Sequence, residues 1–182
     1  MSFQPTRNHF ELFDLPVAFD VDGETLSLRY RDLQRAVHPD RYANASDRER
    51  RLAVQQAANI NEGYRVLRDP LARARYLLEL KGVALDDTDT AMDPAFLMEQ
   101  MELREALGEV RGAQDPFAAL NAVRDDIERH ERELMQALAA LFARDDAGSL
   151  EQAREQVRKL QFMNRLLDEV ERLEEDLVHS SH

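Results

Sequence analysis

From Leu150 onward, apolar side chains recur every three or four residues: Leu150, Ala153, Val157, Leu160, Met163, Leu167, Val170, Leu173 and Leu177. That spacing follows the 3.6-residue turn of an α-helix, so it buries one stripe of a long helix and suits no strand. The same period runs through almost all of the chain, and no segment alternates apolar and polar residues as a half-buried strand would. The fold class implied is all-α.

Breaks in the period divide the helices. A short helix is predicted over 10–15, ended by Pro16, followed by a loop over 17–23. A second spans roughly 24–37, with Leu26, Tyr30, Leu33 and Val37 on one face. His38-Pro39-Asp40 stops it, because the residue before a proline is pushed out of the helical region. A third covers roughly 47–68, with Ala53, Ala57, Ile60, Tyr64 and Leu67 in register. Asp69-Pro70 breaks it, and a short helix over 71–80 follows. Residues 81–93 have no sustained period and read as a linker. Asp93-Pro94 and Asp115-Pro116 then each place an N-cap residue before a proline suited to the first helical turn. These helices run to about Arg111 and Ala143. A turn at Asp145-Asp146-Ala147-Gly148 precedes Ser149-Leu-Glu-Gln152, a capping-box pattern expected to open the last helix. The two long helices, each about 40 Å at 1.5 Å per residue, and a shorter one suggest an antiparallel three-helix bundle over 94–182.

Several function classes are disfavoured at once. With no cysteine among 182 residues, neither disulfides nor thiolate ligation of zinc or a cluster is possible. The five histidines (His9, His38, His130, His179 and His182) are scattered without a close ligand pair at helical spacing, so no metal site and no cofactor is expected. No apolar run is long enough to span a bilayer. The opening Met-Ser-Phe-Gln-Pro has no signal or transit pattern, and a cytoplasmic protein is expected. Charge is lopsided: the formal net is +1 through Arg75 and −13 beyond it. The acidic C-terminal part argues against binding nucleic acid or an anionic membrane.

His38-Pro39-Asp40 is a plausible helix-stop turn by itself. Its flanks carry more. Phe10-Glu-Leu-Phe-Asp-Leu15, Tyr30-Arg-Asp-Leu33 and Ile60-Asn-Glu-Gly-Tyr-Arg-Val-Leu-Arg-Asp-Pro70 stand in order around it. Together the four segments resemble a J-domain, expected over 1–80 with the short helix trailing. No nucleophile, oxyanion donor or glycine-rich phosphate loop lies near His38 and Asp40 in sequence, so acid–base catalysis is disfavoured and a non-enzymatic role is expected. The resemblance implies that His38, Pro39 and Asp40 contact a DnaK-type chaperone and trigger its ATP hydrolysis. By residue type, Pro39 restricts the turn, Asp40 offers an anionic acceptor and His38 a ring donor. On the second helix, Arg31 and Arg35 lie about 130° or more from the apolar stripe, with Arg29 on its flank. Charge on a helix is ordinarily just a solvated face, but the position of these three before the turn favours docking. Asp32 interrupts the basic stretch, which suits a dedicated chaperone partner better than a general one.

A second apolar face distinguishes the C-terminal part. Phe96, Leu103, Leu107 and Val110 share one arc of their helix and form its bundle-facing stripe. Leu97, Met98 and Met101 lie roughly 100–200° from it, beside Glu102 and Glu105. On the last helix Phe162 and Leu166, four residues apart, lie off the core stripe. The middle helix offers Leu120, Val123, Ile127, Leu134, Leu138 and Leu141 to the core. Periodicity leaves two readings open: the outer apolar side chains widen the core or pack against the N-terminal part, or they form an exposed patch with an acidic rim. Methionine suits a patch because its flexible side chain adapts to a partner.

Phe96-Leu-Met-Glu-Gln-Met-Glu-Leu-Arg-Glu-Ala-Leu107 and Val157-Arg-Lys-Leu-Gln-Phe162 are similar to the C-terminal domain of the HscB family. With the J-domain, the resemblance covers nearly the whole chain; the middle helix matches only by length and pattern. It implies that Leu97, Met98, Met101, Glu102, Glu105 and Phe162 bind the iron–sulfur scaffold IscU, and that the chain hands that scaffold to an HscA-like chaperone. Met101 stands where leucine is also typical, a volume-conserving exchange. The N-terminal cysteine motif of eukaryotic relatives is missing, so a bacterial cytoplasmic member is expected. Two rivals stand beside it: a J-domain adaptor for another client, and an enzyme using His38 and Asp40.

Overall fold

The computed structural model describes residues 8–85 and 93–180, and every element among them is helical. The chain divides into two compact units, Met1–Lys81 and Gly82–His182. The linker expected over 81–93 lies largely outside the described residues, as do the N-terminal Met-Ser-Phe-Gln-Pro and His182.

The first unit contains α1 (His9–Leu12), α2 (Gly23–Ala36), a 3-10 turn (Pro39–Tyr42), α3 (Asp47–Arg68) and α4 (Pro70–Leu80). α1 is shorter than its sequence suggests. It was expected to reach Leu15, where Pro16 would stop it. Instead it ends at Leu12 because Asp14 takes a left-handed conformation with φ of 52°. The Leu15 N–H then donates to the Phe10 carbonyl at 2.8 Å and the Asp14 N–H to that of Glu11 at 3.1 Å, which satisfies the last carbonyls of the helix. Ser46 and Glu49 close a reciprocal capping box at the start of α3. Asp69 ends α3 and caps α4 through the Ala72 N–H at 2.6 Å.

Phe10, Phe13, Leu26, Ile60, Leu67, Leu77 and Leu78 fill the interior of this unit. Gly63 lets α1 lie close against α3. A Cβ there would stand 3.0 Å from the Phe13 ring and 3.1 Å from His9 Nδ1. α2 and α3 are also tied by polar aromatic contacts. The Tyr30 and Tyr64 rings stack at 4.1 Å, and the Asn61 Oδ1 accepts from both Tyr30 OH at 2.9 Å and Gln34 Nε2 at 2.5 Å. This hairpin presents the His-Pro-Asp segment at its bend.

The second unit is a bundle of α5 (Pro94–Glu109), α6 (Pro116–Arg144) and α7 (Ala147–Ser180), with a 3-10 turn over Val110–Gly112 closing α5. Asp93 and Asp115 cap α5 and α6, each with a proline in the first turn. Side-chain pairs fix the directions. Arg124 meets Glu174 at 2.6 Å, so α6 and α7 run antiparallel. Phe96 meets Phe162, and Arg111 meets Asp176 at 2.6 Å, so α5 runs parallel to α7.

One expectation for α7 needs correction, and one open reading is decided. Its cap is Asp146, not Ser149. The Asp146 carboxylate accepts from the Ser149 N–H at 2.9 Å and its hydroxyl at 2.7 Å, so Ser149 lies buried inside the first turn and the helix starts at Ala147. Leu166, set apart from the stripe by periodicity, is fully buried and joins the core with Phe96, Leu103, Ile127, Met163 and Val170. It lies three residues from Met163 and four from Val170. A helix packed against both α5 and α6 buries a wider face than one stripe.

Candidate functional site

His38 follows the end of α2 and has an extended ψ of 136°, as a residue before proline should. Pro39 occupies the first position of the 3-10 turn. The His38 carbonyl accepts from the Arg41 N–H at 3.0 Å, and Nδ1 accepts a long bond from the Asp40 N–H at 3.4 Å. The Asp40 carboxylate stands 3.5 Å from Nδ1. All three residues are exposed. The turn therefore presents an imidazole ring and a carboxylate side by side, with backbone geometry set by Pro39.

Among the basic residues of α2, the structure separates what the sequence groups. Arg31 and Arg35 face solvent. Arg29 is turned back onto the unit: its guanidinium meets the Asp14 carboxylate at 2.5 Å and donates to the Phe13 carbonyl at 3.2 Å. The left-handed corner after α1 thus takes up one of the three expected docking cations. Arg35 pairs with Asp32 at 3.2 Å, with both side chains about three-quarters exposed. Arg31 makes no ion pair among the described residues. Leu28, 58% exposed on the same side of the helix, was not singled out from the sequence. The Leu28/Arg31/Asp32/Arg35 spacing of three and four residues would have found it.

In the second unit, α5 buries Phe96, Leu103 and Leu107 and turns the opposite side outward. Leu97, Met98 and Met101 are 43%, 64% and 71% exposed, and Glu102 and Glu105 are exposed beside them. Phe162 differs from the other candidates. It is partly buried against the core, edge-on to Phe96 with ring centroids 5.9 Å apart. The Arg104 guanidinium lies 5.4 Å over its ring and reaches Glu169 at 3.7 Å. Lys159 sits 5.1 Å over Phe96 and 3.4 Å from Asp93. These two cations, unremarked in the sequence, frame the aromatic pair where it meets the surface. Phe162 is thus a fixed edge of the core, while Leu97, Met98 and Met101 project from it.

Comparison with known proteins agrees with both units. The family model described as the HSCB C-terminal oligomerisation domain matches residues 92–171. A co-chaperone protein HscB homolog of Shewanella loihica is 46% identical over 171 residues, covering 93% of this chain and 99% of its own. One from Shewanella amazonensis is 45% identical with the same coverage of its length and 94% of this chain. The solved structure of chaperone HscB from Vibrio cholerae matches with a TM-score of 0.84 at 46% identity, covering 94% of this chain and 99% of that one. The human co-chaperone protein HscB matches with a TM-score of 0.86 at 32% identity, covering 95% and 85%. The chain belongs to the HscB co-chaperone family. As an HscB family member it combines an N-terminal J-domain with a helical C-terminal domain, and no helix among its described residues is long and apolar enough to cross a membrane.

Proposed function

We propose that this HscB family member is a non-enzymatic adaptor that binds an IscU-type iron–sulfur scaffold and delivers it to an HscA/DnaK-type chaperone, whose ATPase it stimulates. The observation that carries the reading is the outward face of α5, where Leu97, Met98 and Met101 stand exposed on a helix whose other side is bundle core. Apolar side chains so placed gain on the order of 1.5–3 kcal/mol each when a partner buries them fully. Association and ordering costs consume much of that gain, so the expected affinity is modest. Glu102 and Glu105 supply an acidic rim for cationic groups of the scaffold, and Phe162 a fixed edge.

The J-domain end acts through His38, Pro39 and Asp40, with Arg31 and Arg35 guiding approach to an acidic chaperone surface and Arg29 bracing the hairpin. Tethering joins the two ends: one chain that holds client and chaperone raises the concentration of each near the other. The setting proposed is the bacterial cytoplasm. The deciding experiment is the chaperone's ATPase rate with adaptor alone, scaffold alone and both. The expected result is modest stimulation by either and a more-than-additive rate with both. A merely additive rate would exclude the adaptor role.

A further inference from the structure

The proposed docking face contains two thioethers, and their surroundings differ sharply from those of the other described methionines. Met98 and Met101 are 64% and 71% exposed, whereas Met163 is fully buried in the bundle core and Met135 is partly buried on α6. Three residues apart on α5, the exposed pair share one side of the helix. Leu97 is beside them, and it has no sulfur to oxidise.

We propose that Met98 and Met101 form an oxidation-sensitive pair through which peroxide turns scaffold docking off. The inference rests on α5's outer face being the scaffold-binding surface. The chemistry needs hydrogen peroxide or another hydroperoxide as oxidant. A sulfur lone pair attacks the terminal peroxide oxygen, the S–O bond forms and the O–O bond breaks. The departing hydroxide takes the proton of the transferred hydroxyl and leaves as water. Sulfur loses two electrons and peroxide gains them, leaving a sulfoxide. That product replaces an adaptable apolar tip with a polar, chiral one that resists burial in an apolar interface. The bundle would survive the change, because neither side chain contributes to its core. Sulfoxide reductases reverse the step, so docking would return with reduction.

The test treats the full chain with hydrogen peroxide and follows each methionine by peptide mass spectrometry, with scaffold affinity measured in parallel. Sulfoxide should accumulate at 98 and 101 before 163 while the helical melting curve is unchanged. Affinity for the scaffold should fall by about tenfold or more, equivalent to losing roughly one well-buried apolar contact, and recover with methionine sulfoxide reductase. The Met98→Leu/Met101→Leu variant should keep through peroxide treatment whatever affinity it starts with, and Met98→Gln/Met101→Gln should bind weakly without any oxidant. Oxidation of Met163 as fast as the exposed pair would overturn the proposal. So would full affinity in the doubly oxidised chain when Leu97→Ala/Phe162→Ala still weakens binding, an outcome that leaves the docking face standing. Full affinity in both overturns the docking face as well.

Discussion

Two side chains of similar character, Leu166 and Met98, show how differently the bundle treats its apolar residues. Leu166 is fully enclosed and Met98 is mostly in solvent. Leu166→Ala should lower stability by about 2–5 kcal/mol in urea unfolding, since it leaves a cavity among packed neighbours. Met98→Ala should change it by no more than about 0.5 kcal/mol. Equal losses would place Met98 in the core. His9 provides a second contrast. Its ring lies 4.5 Å from that of Tyr76 and is half-buried, and this desolvation holds its pKa below the ordinary value of about 6.5, against the opposing pull of Glu62 and Glu79. The unfolded chain therefore takes up this proton more readily than the folded one. Stability associated with His9 is present above about pH 6.5 and is lost as pH falls through the depressed folded value. Thermal melts between about pH 7 and 5 should show the first unit weakening, and His9→Gln should flatten that slope. An unchanged slope in the variant would assign the effect to other groups.

The elements are largely legible in the sequence. The starts of α5 and α6 are written in Asp93 and Asp115, whose short side chains cap the first turn, and α3 in its apolar register; its Ser46 cap was not singled out from the sequence. Corrections came where tertiary contact or unusual backbone decides. Asp14 carries no sequence mark of its left-handed conformation, and Leu166 is buried by two neighbouring helices that a one-helix projection cannot include. The partly buried setting of Phe162 was hidden for the same reason. The period of α5 sets Leu97, Met98 and Met101 apart from its core stripe, and their exposure decides between the two readings it left open. For α2, the contacts alter the expected balance of charges. With Arg29 held by Asp14 and Arg35 facing Asp32, Arg31 should dominate electrostatic approach to the chaperone. Stimulation should fall as salt shortens the Debye length below about 8–10 Å. Arg31→Ala should reduce both stimulation and its salt dependence more than Arg29→Ala does. A larger loss from Arg29→Ala, in a variant of undiminished melting temperature, would count against this ranking.

For the molecule as a whole, the proposal requires two activities that can be lost separately. His38→Gln keeps a side chain of similar reach and disturbs no buried contact, so it should abolish ATPase stimulation and leave scaffold affinity intact. Leu97→Ala/Met98→Ala/Phe162→Ala should do the reverse: weaker scaffold binding, with stimulation by the adaptor alone retained. Stimulation that survives His38→Gln would sink the J-domain assignment of this turn. The charge distribution fits a division of labour, since the near-neutral N-terminal part can carry a cationic strip while the strongly acidic remainder cannot.

The joint between α6 and α7 also bears on how the bundle assembles. Only Asp145 and Asp146 separate the two helices; Asp145 turns the chain in a left-handed conformation and Asp146 caps the next helix. Contacts beside that joint enclose the shortest loop, whereas Arg124 and Glu174 are brought together across 50 positions. Closure entropy rises with loop length, so the least costly pairing is at the bend. The hairpin should therefore zip from Asp145 toward its open end, with α5 adding itself to a groove that the growing zipper has already made. Substitutions near the bend would slow refolding, and those near Arg124 would chiefly speed unfolding.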